Sequence, residues 1–218
     1  MRGLLIKDFR LLMNQKKFLF VVLGFGFLFL FSNDTPEGAM GYITILSAML
    51  VLTTMSYDEF ERGMSFLMTL PITKATYVWE KYVLGVCISA IMSMVSTLVA
   101  MIVFQVRKIP YPMFSFIYSG ILFFGLSLLF LTIMIPVQMK YGSEKGKFVK
   151  MIAMIIVVLL GFGIVKLLEL AGVNVVEMLA SLMSSSVVLG FSIICLVCVA
   201  FYILSGFVSH RMLEKKEL

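Results

Sequence analysis

Charged side chains are scarce in this chain. Asp, Glu, Lys and Arg make up 14% of its 218 residues, against about 25% in soluble domains. With 61% hydrophobic residues and a mean hydropathy of +1.06, the chain carries more apolar surface than one core of its size can enclose. The bilayer is therefore the solvent for most of it. Histidine is represented only by His210, beside Arg211, which excludes a His-based catalytic or metal centre for want of partners. The cysteines Cys87, Cys195 and Cys198 all fall in apolar stretches. "CLVC" has CxxC spacing but neither a strand nor polar surroundings, so it reads as small buried hydrophobes. No Gly-rich phosphate loop ending in Lys-Ser or Lys-Thr is present, so the chain has no ATPase motif and is not expected to be an enzyme. Apart from Lys150 at the start of the fifth, no apolar run holds an ionisable residue in its middle. That argues against an intramembrane enzyme or an ion-driven carrier, because both need buried charge.

Six apolar runs are present, at 18–31, 39–55, 82–106, 113–137, 148–165 and 185–208. A spanning helix takes roughly 20 apolar residues. The first run is short, but Lys16 and Lys17 can snorkel from its end. Barrel strands would alternate, and these runs do not. The expected fold is an all-α integral membrane protein with six transmembrane helices spanning 18–208. With a cytosolic N-terminus, 15 of the 18 basic residues lie on the inner side, leaving Arg107, Lys108 and Lys166 outside. Both termini are then cytosolic, with a tail at 209–218. The net charge of +6 reads as topology, and no nucleic-acid partner is needed to explain it. No cleavage site follows the first run. Residues 1–17 instead form an amphipathic interfacial helix with Leu5, Phe9 and Leu12 on one face. Lys7, Asp8, Arg10, Asn14 and Gln15 supply its polar residues.

The third run carries a stripe of small residues, Ser89, Ser93 and Thr97, suited to close helix packing or to lining a pathway. The outer segment 166–185 is apolar but interrupted by Glu169, Asn174 and Glu177. It reads either as a segment dipping into the outer leaflet or as an outward continuation of the fifth helix. Two cytosolic loops, 57–81 and 138–147, are the sizeable polar segments between runs. In the first, Asp58, Glu59 and Glu61 crowd what reads as a helix start, where the dipole favours negative charge. Phe60, Met64 and Leu67 make an apolar stripe, and Pro71 closes it. This helix either rests on the membrane surface or docks into a cytosolic protein.

Three stretches, "MRGLLIKDFRLL", "YDEFERGMSFLMTLPITKATYVWEKY" and "YGSEKGKF", resemble the permease subunits of type-2 ABC (ABC-2) transporters. They are most similar to the small bacterial permeases that export phenol-soluble-modulin and antimicrobial peptides. The resemblance implies a half-transporter that pairs with a second permease chain, identical or sister. It also implies two copies of a separate cytosolic ABC ATPase, where ATP and magnesium would be bound, with no cofactor in this chain. The N-terminal helix would be the elbow helix, 166–185 the outer re-entrant region, and 58–70 the coupling helix seated on the ATPase. Asp58, Glu59, Glu61, Arg62, Phe66, Leu67, Leu70 and Pro71 are the candidate coupling residues. The implied function is ATP-driven export of amphipathic peptides or lipid-like molecules across a bacterial plasma membrane, with membrane lipid as a further partner. The alternatives are a membrane immunity or sensor protein and the substrate-capture subunit of an importer.

Overall fold

A computed structural model describes residues 2–60, 63, 69, 73–170 and 197–213, chiefly as backbone beyond Gly142. The described chain is helical, with no strand among the described residues. Its helices are α1 (Arg2–Asn14), α2 (Lys16–Ser32), α3 (Glu37–Glu59), α4 (Lys74–Val106), α5 (Met113–Leu170) and α6 (Val197–Leu213). The helical pairs α1 and α2 meet at Gln15 in a bend of 62°. Thr73 caps α4 by accepting the backbone N–H of Thr76 at 3.2 Å, the usual N-terminal role of a threonine. α5 is interrupted at Gly142, whose φ of 74° and ψ of −178° lie in a region that only glycine enters without strain.

Helix α3 is the centre of the bundle. In its apolar window 67% of residues are buried, against 39% in α4 and 33% in α5. It packs against α2, α4 and α5. Little hydrophobic force drives helices together in lipid, so close approach and satisfied polar groups decide the contacts. The hydroxyls of α3 turn back on their own helix: Thr44 donates to the Met40 carbonyl at 2.8 Å, Ser47 to Ile43 at 2.6 Å and Ser56 to Leu52 at 3.0 Å. Gly120 of α5 lies so close to α4 that an added Cβ would stand 2.4 Å from Thr97 Oγ1. α6 is fixed to both neighbours by hydroxyls. Tyr82 contacts Ser205 and Ser209 at 2.7 and 2.8 Å, Tyr202 donates to the Tyr82 carbonyl at 2.9 Å, and Ser205 donates to the Thr132 carbonyl at 2.6 Å.

The end of the bundle away from α1 has its own apolar cluster, with Leu30, Met40, Phe104 and Phe116. Arg107 closes it by donating to the Leu30 and Asn33 carbonyls at 2.8 and 2.6 Å and pairing with Asp34 at 3.2 Å. A guanidinium at a helix C-terminus satisfies the last carbonyls and suits the dipole there. Tyr111 donates to Glu37 beside it.

Three described helices are long and apolar enough to cross a membrane: Glu37–Glu59, Lys74–Val106 and Met113–Gly142. The bent α1–α2 pair makes a fourth if counted as one span, and α6 is a shorter apolar helix. The multi-pass membrane character read from the sequence therefore stands. Each of the first four apolar runs lies on its own helix, α2 to α5. The fifth run falls on the backbone of α5 beyond Gly142, and the described part of the sixth is α6.

Candidate functional site

At the end of the bundle that carries α1, five ionisable side chains meet, four of them buried and Lys7 partly exposed. Asp8 comes from α1, Asp58 from the last turn of α3, and Glu80 and Lys81 from the first turns of α4; Lys7 of α1 completes the group. Asp8, Glu80 and Lys81 are each 0% exposed. The Lys81 ammonium pairs with Asp8, with Asp58 at 2.8 Å and, more distantly, with Glu80 at 3.6 Å. It also donates to Thr54 at 3.5 Å. Lys7 bonds Asp58 and lies 3.2 Å from Asp8. Tyr77 donates to Asp58 at 3.2 Å, and its ring lies 5.2 Å from the Lys81 ammonium. Three carboxyls thus face two ammoniums. Glu80 is the weakest-held member, because neither of its oxygens accepts a hydrogen bond among the described residues.

The local sequence explains this convergence. Leu4, Asp8 and Leu12 form the buried stripe of α1, at the four-residue spacing that stacks side chains on one face. The face expected from sequence was Leu5, Phe9 and Leu12, with Asp8 turned to water. In the structure Phe9 is 60% exposed and open to lipid, while Asp8 is buried between Leu4 and Leu12, where it meets two ammoniums. A lone carboxylate between two buried leucines was the readable signal. Asp58 also departs from expectation. It closes α3 instead of opening a new helix, and Phe60 follows in extended backbone with φ of −67° and ψ of 141°. A carboxylate in a helix's last turn opposes the dipole, and Lys7 with Lys81 offsets that cost. The functional side chains missed in the sequence were therefore Lys7, Asp8, Tyr77, Glu80 and Lys81. In the sequence Lys7 reads as a polar residue of the interfacial helix and as topology-setting charge, and Lys81 as topology-setting charge.

Of the residues proposed for coupling, Asp58 is 5% exposed and turned into this junction. Its carboxylate is thus not presented outward. Glu59 ends α3 next to Gly142, where a Cβ would stand 3.6 Å from its Oε2. Glu61, Arg62, Phe66, Leu67, Leu70 and Pro71 lie outside the described residues, as do Asn174 and Glu177. Glu169 falls on the last turn of α5, of which only the backbone is described. On α4, Ser89 is buried with no hydrogen-bond partner among the described residues. Ser93 and Thr97 line an apolar groove of about 460 Å³ between α4 and α5, together with Gly120, Ile117 and Phe124. Within the described residues no group of His, Cys, Asp and Glu is arranged to hold a metal ion.

Within the junction each ammonium and the Tyr77 phenol are engaged by carboxylates. What it does is mechanical: it locks α1, the end of α3 and the start of α4 to one another. Asp58 and Tyr77 are 19 residues apart yet hydrogen-bonded, so the last turn of α3 and the first turn of α4 are held together at this point.

No curated protein and no solved structure matches the chain. The model of one family, described as ABC-2 family transporter protein, matches residues 3–214. That match takes in every helix named above, and the chain belongs to the ABC-2 family of transporter membrane proteins, which work with an ABC ATPase subunit.

Proposed function

We propose that this protein is the permease half of an ATP-driven exporter that moves amphipathic peptides out of a bacterial cell. Two such chains, identical or sister, form the pathway above two copies of the ATPase. Six helices span the plasma membrane, both termini are cytosolic, and α1 is the elbow helix. The coupling helix lies between α3 and α4, after Asp58 and Glu59 have closed α3, with Leu67 and Phe66 as its apolar contacts. Glu169, Asn174 and Glu177 belong to an outer re-entrant segment.

One observation carries this reading, the Asp58–Tyr77 closure with its surrounding ion pairs. A loop whose two ends are fixed to the same buried junction moves as a lever. A push on it reaches α1, α3 and α4 together. The groove between α4 and α5 supports an amphipathic cargo, since its lining is almost wholly apolar and offers no charge to hold an ion.

The test is co-purification with the ATPase encoded beside this gene, in mild detergent, for wild type and Leu67→Asp. A complex that the wild type forms and Leu67→Asp loses supports the reading. A wild type that purifies alone and leaves ATPase turnover unchanged removes it.

A further inference from the structure

A second groove, of about 240 Å³, lies where α1 bends into α2. Its walls include Phe9, Leu12 and Met13 of α1, Leu50 of α3 and Ile88 of α4, and the one charged residue lining it is Lys16. Helix α1 is apolar on both sides. Leu4 and Leu12 face the core, while Ile6, Phe9 and Met13 are 57%, 60% and 50% exposed. The exposed three stand at the i, i+3, i+7 spacing of a helix face laid against lipid. A void beside such a face forfeits dispersion contacts unless a flexible apolar chain fills it.

The charges at its mouth select what that chain belongs to. Lys16 and Lys17 begin α2, whose first turn holds no acidic residue. Cations at a helix N-terminus oppose the dipole, whose positive end favours an anion. Lys16, Lys17 and nearby Arg10 are all exposed, and none has an ion pair among the described residues. The carboxylate closest in sequence, Asp8, is already consumed by the buried junction. At the bend itself, Gln15 keeps its side-chain Nε2 buried with no acceptor among the described residues. The local structure therefore combines an apolar groove with room for part of an acyl chain, exposed Lys16 on its wall with Lys17 next in sequence, and no anion paired with either among the described residues.

From the groove at the α1–α2 bend, with unpaired Lys16 on its wall and Lys17 next to it in sequence, we infer a specific site for an anionic phospholipid. Part of one acyl chain occupies the groove, and the headgroup phosphate meets Lys16 and Lys17. Bound there, the lipid fastens α1 to the α3–α4 wall in the leaflet on the α1 side, next to the buried junction.

The experiment is native mass spectrometry of the full chain in mild detergent, titrated with dioleoylphosphatidylglycerol or dioleoylphosphatidylcholine. At about fivefold per lysine near an anionic headgroup, the first phosphatidylglycerol binds about 25-fold more tightly than phosphatidylcholine. The Lys16→Gln/Lys17→Gln variant binds the two lipids equally. Both lysines are exposed and unpaired, so this variant keeps the wild-type fold, checked by Trp79 fluorescence. Ile91→Trp, which crowds the groove from α4, lowers the occupancy of both lipids. Equal binding of the two lipids by wild type means annular lipid only and overturns the site. So does a preference that survives removal of both lysines, and an Ile91→Trp variant with undiminished occupancy places any bound lipid elsewhere.

Discussion

Lys81→Met tests whether the buried junction holds the bundle together. The ammonium it removes is 0% exposed and answers Asp8 and Asp58, the latter at 2.8 Å. After the change three carboxyls share the single cation Lys7, which is itself partly exposed. Breaking a buried pair by deleting one partner costs about 3–5 kcal/mol, because the remaining charge is left uncompensated. For a chain of this size that is a fall in Tm on the order of 10 °C. The neighbouring residue supplies the control. Glu80 is equally buried, yet its oxygens accept no hydrogen bond and its one cation stands at 3.6 Å. Glu80→Gln removes the surplus negative charge and is expected to leave Tm unchanged or to raise it. The assay is thermal unfolding in detergent followed by the fluorescence of Trp79, the only tryptophan. It packs edge-on against Phe207, ring centroids 5.4 Å apart, and sits two residues from Lys81. Both variants are heated at one scan rate, since unfolding of such proteins is often irreversible. If Lys81→Met lies within about 1 kcal/mol of wild type, or if the two variants fall equally, charge balance is not what the junction supplies.

Two further outcomes follow from contacts elsewhere in the bundle. Gly120→Ala places a methyl 2.4 Å from Thr97 Oγ1 and should destabilise by about 1–3 kcal/mol; adding Thr97→Ala removes that oxygen and should restore most of the loss, a double-mutant cycle read by the same Tm assay. The Tyr111 phenol is pushed up to about 12, first by desolvation and then by its hydrogen bond to the Glu37 carboxylate. It donates that bond while protonated. The Tyr111–Glu37 tie is therefore intact below the ordinary tyrosine range and is lost as the pH climbs from about 10 to about 12. Absorbance titration of the wild type against Tyr111→Phe should assign the difference signal a midpoint near pH 12, which Glu37→Gln moves part of the way back.

The apolar runs determined the membrane-spanning, all-helical class, because continuous hydrocarbon side chains over such lengths have no other solvent. Family membership was equally legible, in stretches along the chain whose order matches the family. What the sequence could not assign was the partner of each charge. Lys7, Asp8 and Lys81 look like ordinary surface residues of an interfacial helix and a polar loop. Asp58 looks like the acidic start of a helix, yet it lies in the last turn of α3. Their roles depend on contacts spanning 51 and 73 residues, and no local pattern encodes a distance of that kind. Only the packing of α1 across α3 and α4 brings those groups together, and once together out of water they must pair, because an unpaired buried charge costs several kcal/mol.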